Sequence, residues 1–285
     1  MSDRGVHTVA AVWRVFVRVV GFVVLVGLGV TFVLPFLWQV ILSGSSLADV
    51  DRIAQLGVPP RVMFGETYAR VFEVVAFGKY FFNSFFIAGW VTLLQVLTSA
   101  MAAFAFSRIT WPGRDRVFVL YLATMMVPGV VLMVPVFALV LNLGLFNSYA
   151  GLIIPAAFSA YGTFLLRQFM LTIPSSLDEA AAIDGAGPVR VFLDVILPLS
   201  RPGLIVLTIF TFLGNYNSFF WPLIMIKDDN LRTLPIGLRS FDSTYGTDTP
   251  ALMAASLMAM IPPIILFVFL QRYLVKGIQL GAVKG

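Results

Sequence analysis

The residues best suited to chemistry stand together in EAAAIDGAGPVRVFLDVILPLSRP, Glu179 to Pro202. Two carboxylates, Glu179 and Asp184, bracket an alanine run. Asp178 lies just before them, and Arg190, Asp194 and Arg201 follow. The segment holds no histidine or cysteine, so neither a thiolate nor an imidazole is at hand. The chemistry left to these residues is recognition. Small side chains let a partner's backbone come close, and a carboxylate supplies a charge for a cation to pair with.

The local signals define the elements that carry them. Ser176 precedes Glu179 by three residues, a capping-box pattern, and the alanines that follow have high helix propensity. Gly185 offers a helix stop, and Pro188 suits the first turn of a second helix carrying Val191, Phe192, Val195 and Ile196. The spacing predicts a short helix, a turn and another short helix. Helical periodicity places Glu179, Ala182 and Ile183 on one face and Ala180 and Asp184 on the neighbouring one. This pattern favours a docking knob. The alternatives are a helix lying on the inner leaflet or simple support for the bundle. A leaflet helix should carry a basic polar face, and here acids dominate.

The rest of the chain is built for lipid. Of its 285 residues 59% are hydrophobic and only 12% charged, with a mean hydropathy of +0.95, which marks an integral membrane protein. There is no cysteine, and the one histidine, His7, reads as a solvated N-terminal residue. Disulfides, thiolate catalysis and His/Cys metal sites are thereby excluded. Walker A, HExxH and GxSxG patterns are absent.

Charged side chains at the bilayer centre cost about 2.5–3.5 kcal/mol each, so the gaps between them reveal the spans. One gap, from Val117 to Leu166, would be about 75 Å long as a single helix against a hydrocarbon core of about 30 Å. It therefore divides, at the polar, glycine-bearing NLGLFNSYAG, Asn142 to Gly151. The fold class expected is all-α integral membrane. Six transmembrane helices are expected over 19–42, 80–106, 117–141, 150–171, 203–226 and 250–271, with a helix-turn-helix loop at 174–202 between spans 4 and 5. Placing that loop in hydrocarbon would cost on the order of 15–20 kcal/mol for its six charges. Twelve of the nineteen Lys and Arg fall on the side of the termini, and this charge balance puts both termini and the loop in the cytoplasm. The net charge of +5 is thus accounted for by membrane orientation rather than nucleic acid. The first apolar run is longer than the roughly 7–15 residues of a signal peptide's core, which argues for an uncleaved anchor.

Polar residues within spans are pathway candidates: Gln39, Asn83, Gln95, Asn215 and Asn217. Helix–helix hydrogen bonding is the preferred reading for Gln39 and Gln95. Asn215, Tyr216 and Asn217, clustered on the fifth span, are the candidates for a pore wall. Trp38, Trp90, Trp111 and Trp221 read as interface anchors, and Pro128 and Pro135 as kinks in the third span. An ion-coupled carrier would keep ionisable residues near the midplane, and an intramembrane enzyme would need a catalytic constellation there. No predicted span supplies either.

EAAAIDGA, followed by Phe192, Ile196, Leu197, Pro198 and Pro202, resembles the EAA loop of binding-protein-dependent ABC importer permeases. YFFNSFFIA, FAFSRITWPGRDR, GLFNSYAGLIIP and the tail QRYLVKGIQLGAVKG agree with that family. LPIGLRSFDSTYGTDTPALMAAS and the tail resemble the second permease subunit of maltose-type carbohydrate importers. The resemblance implies a subunit of the prokaryotic plasma membrane that forms half of a pore with a second permease, served by two cytoplasmic ATPase subunits and an extracytoplasmic sugar-binding protein. The chain itself would bind no cofactor, since ATP and Mg belong to the ATPase subunits. In the family the EAA helix sits in a cleft of the ATPase. That role falls here on Glu179, Ala180, Ala181, Asp184, Gly185, Ala186, Phe192 and Pro198, with Glu179 pairing an arginine. Gly281, Ala282, Val283 and Lys284 resemble a tail that touches the ATPase interface. Ser243, Thr244, Tyr245 and Gly246 fall in a loop that resembles one reaching the binding protein. Gly187, Pro188 and Asp194 depart from the family pattern, as does Lys276. A homodimeric or non-sugar importer is the alternative within the family.

Overall fold

The computed structural model describes residues 3–50, 52, 62–243 and 246–282. These are mostly helical, and the only strands among them are an antiparallel pair of two residues each, β1 (Asp242–Ser243) and β2 (Gly246–Thr247). They fall into two compact units, Met1–Val74 with Phe241–Met258, and Val75–Ser240 with Ala259–Gly285.

In the first unit, helix α1 runs from Asp3 to Ser43, and its predominantly apolar stretch Phe16–Ser43 is exposed through its most hydrophobic part. It extends well before the predicted start at residue 19. Arg14 and Arg18 end the charge-free gap, and nothing in the sequence there ends a helix. A tight turn follows, in which Ser45 Oγ donates to Leu42 O at 2.6 Å. A Cβ on Gly44 would stand 2.6 Å from the Phe64 ring at the start of α2 (Phe64–Val74). Arg70 of α2 pairs with Asp248 at 2.5 Å beside the strand pair, where Thr247 Oγ1 donates to Asp242 Oδ1. Gln39 donates to Met253 O at 3.4 Å, the helix–helix bond expected of it.

The second unit is built around α3 (Phe77–Arg108), with α4 (Arg114–Ala123), α5 (Gly129–Asn142), α6 (Tyr149–Ile153) and α7 (Ala160–Met170) following in the chain. Next come α8 (Ser176–Ile183), α9 (Pro188–Leu199), α10 (Arg201–Tyr216), α11 (Phe220–Met225) and α12 (Leu234–Leu238). Helix α13 (Thr249–Ala259) belongs to the first unit up to Met258, and α14 (Ile261–Ala282), in the second, packs along α10. Both α7 and α10 lie against α3. Close approach is possible because the contact positions are small: a Cβ on Gly162 would stand 2.5 Å from Ser99 Oγ, and Ala100 and Ala103 are fully buried. Gln95 holds the same junction, donating to Ala156 O at 3.0 Å and accepting from Thr211 at 2.8 Å.

Among the described residues three helices are long and apolar enough to cross a membrane, or up to five if two bent pairs each count as one span. The predicted third span is one such pair, turned by 98° at Pro128, whereas Pro135 sits inside the continuous α5. The predicted fourth span, 150–171, is not one helix. Pro155 follows α6, where it has no N–H to continue the ladder, and Ser159 caps a fresh start by accepting from Gly162 N at 3.0 Å. The break expected at Asn142 to Gly151 is tightly made. Gly144 and Asn147 take φ of 69° and 56°, and Asn147 Oδ1 accepts from the backbone N–H groups of Lys227 and Asp228, both at 2.9 Å.

Candidate functional site

Helix α8 starts one residue earlier than its sequence signal. Ser175 is the N-cap, its side chain makes no capping bond, and Ser176 is already helical, so the expected capping box does not form. Asp178 and Glu179 instead place carboxylates in the first turn, where the exposed N–H groups favour negative charge. The helix ends in a Schellman motif. Gly185 N–H donates to Ala182 O at 3.0 Å and Ala186 N–H to Ala181 O at 2.9 Å, with Gly185 at φ +80°. Helix α9 then begins at Pro188, passes through a π-helical stretch at Val191–Ile196, and meets α10 at a 76° bend.

The eight residues expected at the coupling surface divide between two faces. Glu179, Ala180, Asp184 and Gly185 are exposed, together with Ala182 and Ile183, the latter at 86%. Ala181 and Ala186 turn inward onto the cluster formed by Ala103, Met170, Ile173 and Val191. Phe192 packs on Phe104 with ring centroids 5.1 Å apart, and Pro198 is half-buried. Outward acids and small side chains therefore ride on an inward apolar anchor.

Two arginines brace the end of the bundle beneath this helix. Arg108, in the last turn of α3, donates through Nη2 to the carbonyls of Met170 (2.6 Å) and Ile173 (2.7 Å), and through Nη1 to Asp178 at 2.9 Å. Arg167 donates to Phe106 O at 3.1 Å, with its guanidinium 4.1 Å from the centre of the Phe118 ring. Counted only as charges in the sequence, these arginines are helix-terminus fasteners. The signal available was their position in the last turns of two apolar helices, where unpaired carbonyls await donors.

The three expected pathway residues sit where the predicted fifth span breaks between α10 and α11. Asn215 Nδ2 donates to Thr211 O at 2.8 Å, and its side chain lines a cavity of about 190 Å³ with Ser84, Ser218, Trp221 and Thr233. Asn217 is exposed. Tyr216 is turned into the bundle at 3% exposure, stacked on Phe212 with its hydroxyl on Ala259 O at 3.0 Å. Asn83, another candidate, is buried and donates to Asn230 O and Arg232 O while accepting from Tyr149. That makes it a clasp for the chain beyond α11. Ser243 and Gly246 are backbone partners in the strand pair, while Thr244 and Tyr245 lie outside the described residues. Gly281 and Ala282 end α14, and Val283 and Lys284 lie outside the described residues.

The sequence model of the binding-protein-dependent transport system inner membrane component matches residues 95–280, well over half of the chain and all of the α8–α9 segment. The chain belongs to this permease family. Among its relatives, the arabinooligosaccharides transport system permease protein AraQ of Bacillus subtilis (strain 168) is 34% identical over 260 residues, covering 90% of this chain and 92% of AraQ. The sn-glycerol-3-phosphate transport system permease protein UgpE of Yersinia pestis is 39% identical over 204 residues, covering 71% of this chain and 73% of UgpE. In fold the permease matches a chain of a bacterial ABC transporter involved in the import of the acidic polysaccharide alginate. The TM-score is 0.80 at 23% identity, over 92% of this chain and 97% of the other. The relatives named are transport permeases, and the permease described here is an inner-membrane component of the same kind.

Proposed function

We propose that this permease forms half of the translocation pathway of an ATP-driven carbohydrate importer and couples to its ATPase through α8. The observation that carries the reading is the two-faced α8: Glu179, Ala180, Ala182 and Ile183 exposed on one side, Ala181 on the apolar anchor on the other. A helix so anchored is a rigid handle. Its small outward residues suit a cleft, and the Glu179 carboxylate suits a cationic side chain within it. Closure of an ATPase dimer on bound ATP and Mg would draw two such handles together and open the pathway outward.

On this reading the chain is a multi-pass protein of the prokaryotic plasma membrane with six spans and cytoplasmic termini. The 98° bend and the Pro155 break then interrupt the third and fourth of these spans. α8, the glycine turn and α9 form the cytoplasmic helix-turn-helix. Partners are a second permease, two ATPase subunits and an extracytoplasmic binding protein, the last met by Ser243 to Gly246 and the ATPase also by the tail from Gly281. Asn215, in the last turn of α10, and Asn217, just after it, stand at the helix break, where interrupted spans commonly serve a substrate, and are proposed as pathway residues. The AraQ likeness supports an oligosaccharide as cargo. The UgpE likeness favours a second reading, a phosphorylated polyol.

The test is purification of the tagged permease from its native membrane in mild detergent, then reconstitution of what accompanies it in liposomes. The reading expects a Walker A ATPase and a second permease to co-purify, and ATP-dependent accumulation of a radiolabelled oligosaccharide when the binding protein is added. Accumulation of a polyol phosphate instead would establish the second reading. A permease that comes out alone while a control importer stays intact would refute both.

A further inference from the structure

α8 is held to the bundle by two kinds of contact. Ala181 and Ala186 touch the apolar cluster, a non-directional contact that permits sliding. The Arg108 guanidinium is directional. It is 9% exposed, lies where the ends of α3 and α7 meet the start of α8, and makes three bonds of 2.6–2.9 Å. Two of these hold the carbonyls of Met170 and Ile173, and the third holds the Asp178 carboxylate. Among the described residues, Asp178 is the one acid of α8 in an ion pair.

The pair is also incompletely satisfied. Arg108 Nε and Asp178 Oδ1 are both buried without a hydrogen-bond partner. Each group therefore has bonding capacity that the pair does not use, and each is held by the bonds that remain. A buried charge pair that ties the ends of two helices to the start of a third is costly to break, so displacement of one of them is passed to the others.

We infer that Arg108 is the positioning residue of the transport cycle: through Asp178 it makes α8 and α3 move as one piece, so that displacement of the handle reaches the helix against which α7 and α10 pack. This rests on the reading of α8 as the ATPase dock. The inference assigns Arg108 no contact with substrate or nucleotide.

The experiment uses the whole importer, reconstituted in liposomes with its partner permease, ATPase and binding protein. ATP hydrolysis and substrate uptake are measured per assembled complex. Asp178→Asn keeps the shape and removes the charge. It is expected to assemble and hydrolyse ATP, but to consume at least about tenfold more ATP per molecule imported, the loss of one charge-assisted bond. Asp178→Glu, which restores the carboxylate, is expected to recover most of the ratio. Arg108→Lys gives an independent reading if Asp178→Asn assembles poorly, since an ammonium cannot hold the carboxylate and both carbonyls in the same fork. It is expected to raise the ratio likewise. Hydrolysis and uptake falling in parallel in Asp178→Asn and Arg108→Lys, with the ratio unchanged, would mean that the pair only supports the fold, and would overturn the inference. Absence of any ATPase from the unsubstituted complex would overturn the docking reading itself.

Discussion

Replacing Gly185 separates backbone geometry from steric fit at the coupling surface. Its φ of +80° lies in the left-handed region, and a Cβ built there meets nothing within 4 Å. No clash inside the chain is at issue, so the intramolecular cost of a side chain is conformational. For a non-glycine residue that cost is roughly 1–2 kcal/mol, higher for a β-branched one and lower for asparagine, which tolerates this region. Gly185→Val should therefore reduce the population of the native turn relative to competing turns by about 5–30-fold. The Schellman bonds from Gly185 to Ala182 and Ala186 to Ala181 go with it, and α8 loses its fixed angle to α9. Uptake by cells, normalised to permease in the membrane fraction, should fall by a similar factor. Gly185→Asn should retain most activity. Wild-type uptake by the valine variant would refute the reasoning. An asparagine variant as poor as valine would place the requirement in the partner's cleft and not in the turn.

Two further substitutions address the packing that carries the handle. Gly162→Ala puts a methyl 2.5 Å from Ser99 Oγ and 3.2 Å from Leu207, an overpacking that costs typically 1–3 kcal/mol, seen as a lower thermal midpoint of the purified complex. Because Ser99 Oγ is buried without a partner, Ser99→Ala should be neutral or stabilising by itself and should rescue Gly162→Ala. Asn83→Leu strands the carbonyls of Asn230 and Arg232 and the Tyr149 hydroxyl. With these partly buried groups left unpaired, at up to about 1–3 kcal/mol each, it should lower the yield of folded permease in detergent, whereas Asn217→Leu, on an exposed side chain, should not.

Apolar stretches were legible from the gaps between charges, because a charge in hydrocarbon is expensive wherever it lies in a helix. Helix boundaries were not, because helices end at caps and prolines. α1 runs through Arg14 and Arg18, which the charge gap excluded, and the span expected at 150–171 breaks at Pro155, which hydropathy passes over. The glycine stop at Gly185 was readable since few residues other than glycine end a helix in the left-handed region. The capping box at Ser176 misled because Ser175, equally able to cap, stands one position earlier. Ala181, Ala186 and Phe192 stand in one motif with Glu179, yet only the tertiary contacts reveal that they face the bundle. Arg108 was invisible as a fastener for the same reason: the Met170 and Ile173 carbonyls it holds are more than sixty residues away in the chain.

The chain has no cysteine, so a single one introduced at Ala182, exposed on the Glu179 face, is a unique reporter. Crosslinking that position with a short thiol-reactive photo-probe in native membranes tests the central claim most directly. The account predicts one dominant adduct, whose partner is an ATPase subunit identified by mass spectrometry, and its loss in the Glu179→Lys background. Adducts to lipid alone, in membranes where the importer is active, would contradict it.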